Sequence, residues 1–191
     1  MRRDIRWASV GAHYNNGTKD GEKIKIVAML THPKFAGLSN DFMVLELESP
    51  SSHEPVALAA ADGSDITVGE WGDVIGWKFI AGNGTTPSRR ANELQSAKVR
   101  LMSSEECSTM MHIDDTMVCS GGLANEDPCQ GAIGSPLIVE RSRGGQSGQD
   151  VVVGVVSWGK DCNLANTPSV LARVLSGRTW IDGVTGSACF A

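Results

Sequence analysis

Short stretches of alternating or apolar residues, separated by turn-forming residues, run along the whole chain and limit the folds open to it. Residues 24–30 start with apolar–polar alternation and end apolar, and residues 94–101 alternate again. Alternation with a period of two is typical of β-strands that bury one face, and 22 glycines supply turns between such strands. The pattern therefore predicts an all-β fold, an antiparallel sandwich or barrel. A length of 191 residues is enough to bury a sizeable core.

Two segments depart from the strand pattern. Ser103 is followed three residues later by Glu106, which is the sequence of a helix capping box, so a helix is expected to start there. Residues 175–184, near the end of the chain, predict a short terminal helix.

The distribution of charge and apolar residues excludes some classes of partner. The formal net charge is −5, from 17 basic and 22 acidic residues, and no long run of Lys or Arg occurs. Because nucleic acids are bound by basic faces, they are not expected as partners. No apolar run approaches the roughly 20 residues of a membrane-spanning helix, so no membrane association is expected either.

The cysteines all lie in the C-terminal half and favour an oxidising compartment. None belongs to a Cys-x-x-Cys pair, so neither a metal site nor a cofactor is expected. The first residues, however, lack the apolar core of a signal peptide, so either the thiols are reduced in the cytosol or the true N-terminus is missing. Asn16 and Asn83 each begin an N-glycosylation sequon and are candidate glycosylation sites.

The loop at residues 127–136 has the pattern of a catalytic loop. It reads Asp-Pro-Cys-Gln-Gly-Ala-Ile-Gly-Ser-Pro, and residues 152–159 read Val-Val-Gly-Val-Val-Ser-Trp-Gly. This arrangement resembles the trypsin/chymotrypsin family of serine endopeptidases. There the loop reads Asp-Ser-Cys-Gln-Gly-Asp-Ser-Gly-Gly-Pro and precedes a strand ending in Ser-Trp-Gly. Further segments similar to the family's motifs follow in the family's order at residues 10–13, 40–45, 76–77, 117–119 and 168–174.

The resemblance implies a single trypsin-like domain over residues 1–191. Its expected architecture is two antiparallel six-stranded β-barrels with a short C-terminal helix. Residues 1–70 would be the remnant of the first barrel, and residues 71–191 would form the second. Met1 falls after about the first three strands of the first barrel, so the chain is expected to be truncated at its N-terminus.

The same resemblance places degenerate residues at the catalytic positions. Asp41 corresponds to the triad aspartate, Ile133 to the nucleophilic serine, and Ala132 to the aspartate that pairs with the N-terminus freed on activation. The triad histidine is expected upstream of Met1. Isoleucine has neither a lone pair nor a proton to transfer, so the triad mechanism has no nucleophile and the chain is not expected to be an enzyme. Three other histidines match no motif of the family and are expected at the surface: His32, His53 and His112.

The specificity pocket is implied to persist as a remnant. In this remnant Asp127 lies at the base, Gly131 supplies an oxyanion-hole amide, and Ser157 supports the triad aspartate. Ser169 replaces a glycine of the pocket wall and is expected to narrow the slot. The full set of implied pocket positions is Asp127, Gly131, Ser157, Trp158, Gly159 and Ser169.

The resemblance also implies two disulfides. They would join Cys107 to Cys119 and Cys129 to Cys162, which leaves Cys189 over. From the sequence alone, other connectivities stay open.

Residues 11–21, 56–66, 104–107 and 114–122 carry a more specific resemblance. They resemble the glucanase inhibitor proteins that oomycete plant pathogens secrete. This resemblance implies a secreted, apoplastic effector, monomeric by itself. It would bind a host plant endo-β-1,3-glucanase, inhibit it and so suppress glucan-elicitor defence without protease activity. Two alternatives stay open: an active trypsin-like endopeptidase, and a degenerate paralogue with neither activity.

Overall fold

A computed structural model describes most of the chain. The described ranges are residues 5–17, 19–64, 66–77, 79–80, 89–121, 132–143, 146–159 and 167–186. Within these ranges the strands form a three-stranded sheet, a seven-stranded sheet and a two-stranded ribbon, accompanied by two helices.

The three-stranded sheet comes first in the chain. It consists of β1 (Trp7–Val10), β2 (Glu22–Thr31) and β3 (Met43–Leu47), all antiparallel in that order. In β2, Ile24 and Ile26 are buried while the lysines between and beside them are exposed, as the predicted alternation requires. The strand predicted from residues 24–30 is therefore confirmed.

The remaining strands follow in chain order. They are β4 (Ala57–Leu58), β5 (Trp71–Gly76), β6 (Phe79–Ile80), β7 (Arg89–Arg90), β8 (Gln95–Arg100), β9 (Met117–Gly121), β10 (Pro136–Arg143), β11 (Gln146–Gly159) and β12 (Pro168–Arg173). The two-stranded ribbon is formed by β6 and β7.

Six strands of the large sheet close into a barrel. They pair antiparallel in the order β8-β5-β10-β11-β12-β9, and β4 pairs in parallel with β11. A bridge between Leu101 and Ser120 joins the end of β8 to β9. Beside it, Met102 N–H donates to Cys119 O at 3.0 Å. The predicted trypsin-like, all-β architecture, with one six-stranded barrel and a partial first barrel, is confirmed. The division into two parts near residue 70 stays a prediction. Strand β4 precedes that division but pairs with β11 of the barrel.

One hydrophobic core connects the two sheets. Its centre consists of residues of the barrel strands with no exposed surface, such as Leu137, Val153 and Leu171. Phe42, which directly precedes β3, is 8% exposed and belongs to the same core. The ring of Phe42 thus anchors the three-stranded sheet to the barrel.

Both predicted helices are present. The first, α1 (Ser104–Ser108), is capped by Ser103, whose Oγ accepts a hydrogen bond from Glu106 N–H at 3.0 Å. The second, α2 (Val174–Thr185), is held against β4 by Arg178, whose Nη1 donates to the carbonyls of Leu58 and Ala59 at 3.1 and 2.9 Å. Among the described residues, no helix is long and apolar enough to cross a membrane.

The expectation that His32 lies at the surface is wrong. The side chain is 7% exposed, and its ring packs edge-on against Trp180 of α2, with ring centroids 4.8 Å apart. Lys34 N–H donates to His32 Nδ1 at 3.2 Å, which requires that nitrogen to be unprotonated. Burial, and secondarily the charge of Lys34, lower the pKa of His32 below its usual 6.5. The contact with α2 gives this histidine a structural role.

Acidification is expected to destabilise the protein through His32. Because its folded-state pKa is lowered, the unfolded state binds more protons once the pH falls below 6.5. The stabilisation is complete above that pH and is lost as the pH falls through the folded-state pKa. Thermal unfolding of wild type and His32→Gln, measured between about pH 7 and pH 5, should show a smaller acid-side loss in the variant. His112→Gln, at an exposed site, is the matched variant that removes one histidine without touching the contact with α2. Equal acid-side losses in wild type and His32→Gln would contradict this account.

Candidate functional site

A tight turn lies at residues 132–135, where the sequence predicts a degenerate nucleophile. Ser135 N–H donates to Ala132 O at 2.8 Å and closes the turn. Gly134, the third residue, has a φ of +86°, a conformation that residues with a side chain rarely adopt. The turn therefore depends on glycine at this position.

Hydrogen bonds to β11 hold this turn in place. Gly134 N–H donates to Val156 O at 2.8 Å, and Val156 N–H donates to Ser135 O at 2.9 Å. Ala132 is buried in the core with 3% exposure, whereas the side chain of Ile133 is 74% exposed. The fold thus fixes the backbone of the turn and presents one large apolar side chain to solvent.

Asp41 lies beside the same stretch of β11. Ser157 Oγ donates to Asp41 Oδ2 at 2.6 Å, and Ser157 is 7% exposed. Ser157 directly follows Val156, which holds the turn, so Asp41 and the turn are attached to neighbouring residues of one strand. Among the described residues, Asp41 has no hydrogen bond to a histidine. The contact between Ser157 and Asp41 is the one that the family resemblance implied.

An apolar cavity of about 360 Å³ opens between two loops. One loop contributes residues 36–39, and the other precedes β9. The walls are mainly apolar and include Leu38, Ile113, Met117 and Trp158. Trp158 directly follows Ser157 in β11, and Ser39, which also lines the cavity, lies two residues before Asp41.

A network of hydrogen bonds joins the two loops at the mouth of the cavity. Ser39 Oγ donates to Asp114 Oδ2, and Asn40 N–H donates to Thr116 Oγ1 at 3.0 Å. Thr116 Oγ1 in turn donates to Asp114 Oδ1 at 2.6 Å. The hydrogen bonds from Ser39 and Thr116 lower the pKa of Asp114, so its carboxylate is ionised near neutral pH. An ionised carboxylate therefore lies in the cavity wall, next to His112.

Sequence reasoning did not identify these loop residues. Ser39 and Asp114 are 75 positions apart, and no local pattern indicates that two short polar side chains will meet across such a distance. One signal for this loop was present in the sequence. Residues 36–40 come immediately before Asp41, and Gly37 and Asn40 among them are residues that favour turns. Both have positive φ, +63° and +51°.

The described positions of the pocket remnant lie along β11 and β12. Trp158 is half-buried at the cavity. Gly159 pairs with Ser169 across the two strands, and Ser169 is 8% exposed. Asn16 is exposed in the turn between β1 and β2. Several predicted positions lie outside the described residues: Asp127, Gly131, Cys129, Cys162, Cys189 and Asn83.

A disulfide joins Cys107 of α1 to Cys119 of β9, the pair that the resemblance implied. The Cα atoms are 6.2 Å apart, and the two residues are 0% and 1% exposed. The bond closes the segment that contains Ile113 and Asp114, and so it constrains one wall of the cavity. In the part of the chain that the structure describes, no group of three or more His, Cys, Asp or Glu side chains is placed to hold a metal ion.

Comparisons with known proteins agree with this geometry. A sequence model of the trypsin family, described as Trypsin, matches residues 3–181. Glucanase inhibitor protein 3 of Phytophthora infestans is 44% identical over 181 residues, which cover 94% of this chain and 68% of that protein. Glucanase inhibitor protein 1 of the same organism is 40% identical over 183 residues, 94% of this chain and 69% of that protein. Glucanase inhibitor protein 3 of Phytophthora sojae (strain P6497) is 41% identical over 180 residues, 93% of this chain and 67% of that protein.

Proposed function

Because the chain belongs to the trypsin family and, within it, to the glucanase inhibitor proteins, we propose that it binds a glucanase and inhibits it without cleaving it. The observation that supports inhibition without cleavage is Ile133. It is an exposed hydrocarbon side chain on the turn where a protease of this family has its serine. A protease fold that lacks its nucleophile still offers a cleft and loops that grip another protein.

The remaining site residues support binding rather than catalysis. Triad chemistry requires a hydroxyl, a histidine that takes its proton, and an aspartate that orients the histidine. Among the described residues, only the aspartate has a counterpart, which is Asp41. Its carboxylate accepts a hydrogen bond from Ser157. Ala132 has no carboxylate for the ion pair that shapes the oxyanion hole in the family, and it is buried in the core.

We propose a host plant endo-β-1,3-glucanase as the partner and the extracellular space as the location. The named relatives are glucanase inhibitor proteins of Phytophthora species, which supports the class of partner. A buried disulfide between Cys107 and Cys119 is compatible with an oxidising compartment. Asn16 is exposed in a turn, as a glycan acceptor must be. In the proposed complex a monomer of this chain binds one glucanase.

Inhibition of a plant endo-β-1,3-glucanase on a soluble β-1,3-glucan tests the proposal. Titration with the purified, oxidised protein should give saturable inhibition with a defined stoichiometry. A β-1,4-glucanase assayed in parallel serves as the control and should keep its activity. The absence of inhibition by a sample shown to be folded would contradict the proposal and favour a degenerate paralogue.

Restoring a serine is not expected to restore proteolysis. Ile133→Ser returns the hydroxyl, but Ala132 still has no carboxylate for the ion pair that shapes the oxyanion hole in the family. Among the described residues no histidine is hydrogen-bonded to Asp41. Because the catalytic groups act as a unit, returning one of them does not restore the rate of a complete site. Hydrolysis of an Arg or Lys peptide substrate by Ile133→Ser should equal that of wild type, within the background. Turnover that appears only in the variant and stops with a serine-directed phosphonate would contradict this account.

A further inference from the structure

We propose that the first N-acetylglucosamine of a glycan on Asn16 packs on the ring of Tyr14 and fastens the three-stranded sheet to the barrel. The inference rests on the proposed extracellular location, because glycans of this kind are carried by secreted proteins. It adds to a candidate acceptor the residue that receives the sugar and the effect of that contact on stability.

Asn16 is the third residue of a tight turn that begins at Tyr14. Gly17 N–H donates to Tyr14 O at 3.1 Å, and neither Asn15 nor Asn16 has a positive φ, so the turn is of type I. Gly17 ends the turn with a φ of +57°, a conformation that glycine adopts without steric cost. The turn thus holds the acceptor asparagine two residues after an aromatic side chain, and Asn16 is exposed.

Tyr14 and Asn16 line the same pocket, which lies where the turn meets the segment between β7 and β8. Its volume is about 320 Å³. We call it the junction pocket, and its lining residues are Tyr14, Asn15, Asn16, Lys19, Asn92 and Glu93. A sugar ring has apolar C–H faces and a rim of hydroxyl and acetamido groups. One aromatic ring among amide, carboxylate and ammonium groups therefore matches its chemistry.

The ring of Tyr14 is held in place and yet accessible. Tyr14 is half-buried, and the His13 ring lies nearly perpendicular to it, with centroids 5.1 Å apart. Lys19 Nζ lies 4.6 Å from the centre of the Tyr14 ring, and Lys19 is exposed. A cation–π contact at an exposed site is weak and the lysine side chain is flexible, so a sugar tethered to Asn16 can replace the ammonium on the ring.

The pocket spans a junction between two parts of the fold. Asn15 N–H donates to Asn92 O at 2.8 Å, and Asn15 Nδ2 donates to Ala91 O at 2.6 Å. A sugar that reaches from Asn16 across Tyr14 to Asn92 contacts both sides of this junction. Because the sugar finds these contacts only in the folded state, and its tether keeps it close to them, it stabilises the folded protein.

Attachment of the sugar uses the Asn-Gly-Thr triplet at residues 16–18. The donor is an oligosaccharide linked to a lipid pyrophosphate. Nδ2 of Asn16 forms a bond to the anomeric carbon of the first N-acetylglucosamine as the bond from that carbon to the pyrophosphate oxygen breaks. The lipid pyrophosphate leaves with the electron pair of the broken bond, and the amide nitrogen gives up one proton.

Thermal unfolding with and without the sugar tests the contact. Every protein carries Asn83→Gln, so that Asn16 is its only sequon. The glycosylated form is secreted from a eukaryotic host behind a cleavable signal peptide and trimmed to one N-acetylglucosamine. The same sequence, made in bacteria and oxidised, carries no sugar. The sugar should raise Tm by about 2–4 °C, the shift that one contact of ordinary strength gives in a chain of this size.

Substitution of Tyr14 assigns that rise to the ring. Tyr14→Phe keeps the ring and should keep the rise, whereas Tyr14→Ala should lose most of it. Each variant is compared with its own sugar-free form, so the effect of the substitution itself cancels. As a second readout, NMR of the glycosylated parent should show sugar protons shielded by the ring, upfield of their positions in the unfolded protein.

The outcomes separate this contact from the proposed function. Equal rises in Tm for the parent and Tyr14→Ala, sugar protons at unshifted positions, or an unoccupied Asn16 in the secreted protein would refute the contact. Free N-acetylglucosamine or soluble β-1,3-glucan, added to the sugar-free protein at equal molar ratio, should leave Tm unchanged, and an equal rise would also refute it. Failure of both samples to inhibit the glucanase would refute the proposed function, which the Tm comparison does not measure.

Discussion

Phe42→Ala is expected to lower the free energy of unfolding by about 3–5 kcal/mol, as truncation of a buried aromatic ring usually does. Phe42 is 8% exposed and is the residue of the segment before β3 that enters the barrel core. Its ring lies on Gly177 of α2, where a Cβ would come within 2.8 Å of Phe42 Cε2. Three parts of the fold therefore meet at one side chain, and its removal leaves a cavity that none of them can fill.

Denaturant titration of wild type and variant measures this difference. Phe35→Ala is the matched control, because Phe35 is 44% exposed and its loss should change stability by no more than about 0.5 kcal/mol. A loss below about 1 kcal/mol for Phe42→Ala would show that the three-stranded sheet is not anchored through this ring.

Removal of the Cys107–Cys119 disulfide by Cys107→Ala with Cys119→Ala is expected to cost about 3 kcal/mol in stability, the chain-entropy value for a loop of this size. The two cysteines are separated by 12 positions and are buried, so alanine adds no exposed or unpaired polar group.

Chemical denaturation of oxidised wild type and of the double variant measures the difference in their free energies of unfolding. Peptide mapping without reductant should show the Cys107–Cys119 link in wild type alone. A double variant that unfolds at the same denaturant concentration as wild type would mean that the disulfide contributes nothing to stability.

Local patterns and ordered motifs were sufficient to predict the barrel. The motifs at residues 117–119 and 168–174 fall in β9 and around β12, which pair with each other, and Ser103 caps α1 as its sequence indicates. A motif can be recognised in the sequence because its residues are neighbours in the chain, and they stay neighbours in the folded protein.

Contacts between distant segments that belong to no motif could not be predicted. His32 matches no motif, and its burial depends on Trp180 of α2, which lies 148 positions later in the chain. The Ser39–Asp114 contact and the cavity depend on two loops meeting, and single polar residues carry no periodic signal of that meeting. The exposure of Ile133 follows from its place at the tip of a turn attached to β11, which only the folded chain defines.

The state of the glucanase during inhibition is the most direct test of an inhibitor that binds and does not cut. A plant endo-β-1,3-glucanase is incubated with the oxidised protein while its activity on soluble β-1,3-glucan and its intact mass are followed in the same samples. The account predicts loss of activity at a fixed molar ratio, an unchanged glucanase mass, and return of activity once the two proteins are separated. Loss of activity that advances with time and parallels the appearance of glucanase fragments would contradict it.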